Sequence, residues 1–214
     1  ARGGGGIRWW RISWDAGALL LQQADRRVGL LDRLARCFED GRDADLIEHS
    51  VRTLLGQRIF GMALAYEDLN DHVQLRSGPL LGAALGKLSA QRSGCEALAG
   101  KSTLNRLELF ATEGMTRYQK IRPQTNAIEG LLVDLFLEAH TLAPAGIVLD
   151  LDATDDPLHG EQEGRFFHGY YDGYCYLPLY IFCGRHLLCA KLRSSNIDGS
   201  AGAQQEVQRI VAQI

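Results

Sequence analysis

The run Gly146-Ile147-Val148-Leu149-Asp150-Leu151-Asp152-Ala153-Thr154-Asp155-Asp156 constrains the fold of this chain more than any other stretch. It begins apolar and β-branched, as strands do, and then places four carboxylates at 150, 152, 155 and 156. Alternate side chains of a strand share a face, so Asp150 and Asp152 point one way and Leu149, Leu151 and Ala153 the other. Two carboxylates on one face of an otherwise buried strand are costly unless solvated, paired with Arg or held on a metal. A divalent cation is the functional reading; a solvent-facing pair or salt bridges to Arg are the structural alternatives.

Either side of Gly146 the periodicity differs. Before it, apolar residues recur at helical spacing. A helix is expected after Asp15, with Leu20, Leu31, Leu34, Ala35 and Phe38 on its apolar face. A second is expected from about Asp45 to Tyr66, and a third over Pro79 to Leu88 with Pro in its first turn. Ser102 or Thr103 is expected to cap another, and Asn126, with Glu129 three residues on, the last of the series. After it, Ile147–Ala153, Arg165–Tyr171, Gly173–Cys183 and His186–Arg193 read as strands, followed by a helix over Ser200–Ile214. The expected fold class is α+β: an extended lead over 1–14, a helical region over 15–143, and an incomplete sheet with a helix over 144–214. Three strands and one helix close poorly, so further sheet is expected beyond this chain.

The chain has 214 residues and a net charge of −3, so nucleic-acid contact would have to use a local basic face. No apolar run approaches a membrane helix and no signal-peptide pattern is present, so no membrane partner and a cytoplasmic location at the nucleoid are expected. Candidate phosphate contacts are Arg26, Arg27, Arg33, Arg36 and Arg52, and Arg117, Lys120 and Arg122 of a basic connector; a solvated helix face is the alternative. Ile7–Trp14, rich in Trp and Arg, reads as a short strand packing its aromatics rather than a stacking arm. The five cysteines include no CxxC pair and read as reduced small hydrophobes. Gly100-Lys101-Ser102 fails as a phosphate loop, because Cys95 stands where the first glycine is needed. His159 and His168 lie near the acids; Tyr170, Tyr171, Tyr174 and Tyr176 read as sheet-packing residues before base-stacking ones.

Three chemistries compete for the acidic strand. An EF-hand loop fails for want of its glycine and with apolar residues between the acids. Asp150-Leu151-Asp152-Ala153-Thr154 resembles the Asp-x-Asp-x-Thr signature of haloacid-dehalogenase-type phosphatases, with Asp150 as nucleophile and Asp152 as acid/base. That family expects a helix-connected parallel sheet after the motif, whereas an antiparallel hairpin is predicted here. The order strand, strand, strand, helix resembles an RNase H-like polynucleotidyl transferase.

Longer segments extend the last resemblance. Val148–Gly160, Gln162–Tyr171, Tyr174–Tyr180 and Arg193–Asp198 resemble a group of bacterial insertion-sequence DDE transposases, as do Gly17–Leu21, Gln57–Gly61, Tyr66–Asp71 and Lys101–Glu108. The resemblance implies an RNase H-like catalytic domain whose first catalytic acid and metal ligand is Asp152, with Asp150 beside it and Thr154 orienting the carboxylate. It implies two Mg²⁺ ions held by two Asp and a Glu in the complete protein, cleaving DNA and transferring strands at element ends. The second Asp and the Glu are expected beyond Ile214, so this chain is expected to bind DNA but to be inactive alone. The implied partners are the terminal inverted repeats and further copies in a homodimer or larger synaptic assembly. A non-catalytic DNA-binding regulatory fragment is a further alternative.

Overall fold

The computed structural model describes residues 16–109 and 114–214. The expectations for 1–14, including the Trp-rich segment, lie outside the described residues. The chain divides into two units, Ala1–Gln124 and Thr125–Ile214.

The first unit is helical: α1 (Gly17–Val28), α2 (Leu30–Arg36), α3 (Val51–Ala63), α4 (His72–Leu75), α5 (Pro79–Leu85) and α6 (Lys101–Glu108). The single helix expected after Asp15 is broken. Gly29, at φ +67°, ends α1 in the left-handed conformation that glycine adopts most cheaply. Phe38 then leaves the helix and enters β1 (Phe38–Asp40), which pairs antiparallel with β2 (Ile121–Pro123). Leu20, expected on the apolar face, is exposed, while Ala18 is buried. The helix expected from Asp45 starts only at Val51. Asp43 accepts the Asp45 amide and caps a short 3-10 turn over Ala44–Leu46, Ile47 is extended, and the Ser50 hydroxyl caps α3 at the Thr53 amide. α6 begins after Gly100, so neither Ser102 nor Thr103 is its N-cap.

α3 is the centre of this unit. Gly56 lets it come close to α2 and α5: a Cβ there would stand 2.8 Å from Leu31 Cδ1 and 2.5 Å from Leu85 Cδ2. The next residue, the fully buried Gln57, donates to the Ala99 carbonyl and accepts from the Ala99 amide, at 2.7 and 2.9 Å, and donates to His72 Nδ1 at 3.1 Å. Leu31, Phe60, Leu81 and Leu98 pack in one cluster, and Leu54, Leu104, Leu107 and Ile121 in a second.

The second unit opens with α7 (Thr125–Glu138), so Asn126 lies inside the helix it was expected to cap. Six strands and a helix follow: β3 (Asp150–Ala153), β4 (Asp156–Pro157), β5 (Phe166–His168), β6 (Gly173–Tyr176), β7 (Leu179–Cys183), β8 (His186–Lys191) and α8 (Ala203–Gln213). The strands form two antiparallel sheets in the orders β3-β7-β8 and β4-β6-β5. Val133 and Phe136 of α7 and Ile210 of α8 pack with Leu179, Ile181, Leu188 and Cys189 of the first sheet. Each such fully buried aliphatic side chain contributes roughly 1.5–3 kcal/mol. This packing places α7 with the sheet, although the change of periodicity comes later, at Gly146. The fold is α+β, as the two periodicities predict.

The two sheets share one ladder. Ala153 pairs with Leu179 and Asp156 with Tyr176, so the register between the acidic strand and its partner passes unchanged from one sheet to the other. In that register Thr154 falls opposite Pro178, which has no amide to donate, and the ladder is interrupted there. Pro157 lies within β4, opposite Cys175.

Candidate active site

Asp150 stands opposite Phe182, and Asp152 opposite Tyr180. Directly paired residues of an antiparallel ladder share a face, so the two carboxylates lie with two aromatic side chains. Leu179, Ile181 and Cys189 occupy the opposite face, on which α7 and α8 pack. Asp150 and Asp152 are both exposed, on an edge strand, and neither carboxylate forms a hydrogen bond or ion pair with another described residue. The face is open and acidic, and its acids are not consumed by Arg.

The β4-β6-β5 sheet extends this ladder past the acids. The Tyr171 hydroxyl lies 3.5 Å from the Ala153 carbonyl oxygen. Burial raises the pKa of Tyr171, and the negative charges of Asp155 and Asp152 raise it further. His168 packs on Tyr171 with ring centroids 4.9 Å apart, whereas His159 is exposed in the loop after β4. Arg165 lies over the Tyr174 ring at 4.6 Å, and Phe166, Phe167, Tyr170 and Tyr174 are exposed.

The loop after β8 closes on the same region. Arg193 is spent on carbonyls, donating to Leu177 at 2.8 Å, to Gly199 at 3.2 Å and to Ala201. Gly199 is drawn against β3, where a Cβ on it would stand 3.6 Å from that of Ala153. The buried Ser195 hydroxyl donates to the Phe166 carbonyl at 2.9 Å and ties the loop to β5. Among the described residues no three His, Cys, Asp or Glu side chains group to hold a metal ion, so Asp155 and Asp156 do not complete a cluster with Asp150 and Asp152.

The cationic candidates are dispersed over the first unit. Arg26 and Arg27 are exposed on the last turn of α1, where positive charge is favoured by the helix dipole. Arg52 is engaged by Asp25 at 3.2 Å and Asp32 at 2.8 Å. Arg122 lies on β2 opposite Glu39. Arg117 and Lys120 line a cavity of about 410 Å³ together with Arg106.

The family model described as transposase DDE domain group 1 matches residues 7–214. The chain belongs to that family. No curated protein and no solved structure matches it.

Within this DDE domain, the phosphatase alternative loses its structural basis: β3 pairs antiparallel with β7, and β7 with β8, where that signature calls for a parallel, helix-connected sheet. No helix among the described residues is long and apolar enough to cross a membrane. All five cysteines are free, as expected from their spacing; Cys37, Cys175 and Cys189 are buried. Burial pushes the Cys189 thiol up to about 11, with a further push from the Glu206 charge. Sequence reasoning did not anticipate Arg193 and Ser195 as the residues that hold the loop beside the acids; both stand within a segment matched to the family, but nothing local distinguishes their role.

Proposed function

We propose that this DDE domain acts in DNA transposition at the ends of an insertion sequence, with Asp152 as the acid that takes the divalent metal and Asp150 beside it. The observation that carries this reading is the pair of exposed, unengaged carboxylates on the open face of β3, in a chain matched to the family over residues 7–214. Mg²⁺ suits such a site: it prefers hard oxygen donors and is commonly held by one or two carboxylates, with waters and substrate phosphates completing its shell. Bound there, the ion would supply Lewis-acid polarisation of a phosphodiester.

The chain's own residues have separate tasks in this proposal. Asp152 and Asp150 offer acceptor oxygens and repel DNA phosphates until a cation neutralises them. Tyr180 and Phe182, opposite the acids, give the face an apolar floor. Arg193 and Ser195 hold the loop around Gly199 in place beside Ala153. Arg117, Lys120, Arg122, Arg26 and Arg27 contact backbone phosphates of the terminal inverted repeats, and self-association brings two ends together.

A gel-shift series with element-end DNA and a scrambled duplex of equal length, at rising salt, tests the reading. End DNA is expected to bind more tightly, with a salt slope that falls by about one for each phosphate-contacting Arg or Lys removed. Equal retention of the two duplexes, or a salt slope untouched by every one of these substitutions, would overturn it.

A further inference from the structure

We infer that the first unit holds a phosphate-binding pocket, built where α6, the connector ahead of β2 and the segment ahead of α3 meet. The cavity of about 410 Å³ is lined by Arg106 of α6, by Arg117, Tyr118 and Lys120 of the connector and by His49. That volume suits a phosphate ester. The pocket is a feature of the unit that does not contain Asp150 and Asp152.

Charge at this pocket is uneven once the engaged groups are set aside. Arg42 is held by Asp40, at 2.7 Å from both Nε and Nη2, and also donates to the His49 carbonyl. Arg92 donates to the Leu46 carbonyl. Two acids also line the cavity. Glu48 is satisfied by the Lys87 ammonium at 2.8 Å and by the amides of Gln91 and Arg92, each at 2.9 Å; Asp43 accepts the Asp45 amide at 3.1 Å. Three cations remain. Arg106 and Arg117 lie over the Tyr118 ring, at 5.8 and 5.5 Å, and form no ion pair with a described residue. The Lys120 ammonium has no hydrogen bond or ion pair with a described residue.

A buried ring forms part of the wall. His49 is only 9% exposed and lines the cavity, and its Nδ1 has no hydrogen-bond partner among the described residues. Buried polar atoms are rarely left unpaired, because their lost hydration is not replaced. Burial and the nearby Lys87 charge push His49 down to about 4, so its ring is neutral near pH 7 and adds no charge to the cavity.

Two guanidiniums over one aromatic ring and an ammonium with no partner among the described residues match a group with several acceptor oxygens and more than one negative charge. Arginine forks bind phosphate oxygens in pairs, and the Tyr118 face limits the freedom that those forks would lose on binding. The phosphate has two possible sources: the DNA backbone, which rests on the transposition reading above, or a free phosphate ester, which does not.

Calorimetric titration of the full chain with inorganic pyrophosphate, paired with anisotropy of a labelled duplex in competition with pyrophosphate, tests the pocket. Arg117→Ala and Lys120→Ala are compared with Arg185→Ala, on the β7–β8 turn of the other unit, and circular dichroism checks each fold. Saturable pyrophosphate binding is expected, weakened about tenfold by Arg117→Ala and by Lys120→Ala, as loss of one charge-assisted hydrogen bond implies, and unchanged by Arg185→Ala. Displacement of the duplex by pyrophosphate would assign the pocket to backbone phosphate; binding without displacement would assign it to a free ester. Should an alanine variant fail to fold, Arg117→Lys keeps the charge but loses the fork, and a weakening there serves in its place. Absence of saturable pyrophosphate binding, or equal weakening by Arg185→Ala, overturns the pocket. Duplex binding that persists in that case leaves the transposition reading standing; pyrophosphate binding without any duplex binding leaves only the pocket.

Discussion

The Tyr171 hydroxyl meets the Ala153 carbonyl at 3.5 Å, one residue past Asp152, and so couples the β5–β6 turn to the acidic strand. Burial and the charges of Asp155 and Asp152 raise its pKa above the ordinary 10.0. A raised folded pKa stabilises the fold fully below the unfolded value, and that contribution is lost as pH climbs from about 10 through the folded value. Phenolate absorbance should show one tyrosine titrating late. Tyr171→Phe should remove that component, and Asp152→Asn should move it to lower pH. A late component untouched by either change would mean that the phenol and the acid do not sense each other.

Asp152→Asn should leave stability within roughly 0.5 kcal/mol of the parent, since the side chain is exposed and unengaged. Paramagnetic broadening by Mn²⁺ should centre on the Asp152 amide and disappear in the variant. Broadening centred on Asp155 and Asp156 would assign the metal to the wrong end of Thr154.

Acid should loosen the first unit through its buried histidines. Burial lowers the pKa of His72, and lowers that of His49 to about 4. A depressed folded pKa means that the unfolded chain takes up the proton first, so stability is present above the unfolded value of 6.5 and is lost as pH falls toward 4. For His49 the loss approaches roughly 3 kcal/mol. Thermal melts over this window should show the fall, and His49→Phe should flatten it. A melting temperature flat from pH 7 to 4 would contradict the burial of both rings.

Glu206 is buried on α8 between Lys191 and Arg209, with Arg209 also 3.6 Å from Glu129. Burial opposes its charge, but the hydrogen bonds from Lys191 and Arg209 outweigh that and lower its pKa. Glu206→Ala should cost about 3 kcal/mol, because it strands the partly buried Arg209 with fewer acceptors. Denaturant unfolding measures this, and a cost below about 1 kcal/mol would show the network to be dispensable.

Gln57→Ala should cost a similar amount, about 3 kcal/mol, by unpairing both the amide and the carbonyl of Ala99 and the His72 nitrogen. Gln57→Glu is a sharper check, since a carboxylate cannot donate to the Ala99 carbonyl; stability equal to the parent would refute the assigned bonds.

The helix–strand order, the antiparallel hairpin of β7 and β8 and the shared face of Asp150 and Asp152 were legible in the sequence, because each follows from local periodicity. Helix boundaries were less so. The caps at Asp43 and Ser50 delay α3 by several residues, and only their hydrogen bonds distinguish them from other Asp and Ser residues. Leu20 looked like core because its spacing fits a helix, but its face of α1 is exposed.

By itself, the sequence determined that an apolar run leads into acids, that Asp150 and Asp152 share a strand face, and that a helical region precedes a sheet; the strand expected over Ile147–Ala153 forms only over Asp150–Ala153. Residue order alone decides those properties through the periods of helix and strand. Tertiary structure decided what surrounds the acids. Pro178 falls opposite Thr154 and interrupts the ladder, Tyr171 reaches the Ala153 carbonyl, and Arg193 draws Gly199 against β3. It also decided which cations are engaged, pairing Arg52 with Asp25 and Asp32 while leaving Lys120 on the wall of a cavity. These relationships join residues far apart in the chain, and their energies depend on burial and register, which no local spacing encodes.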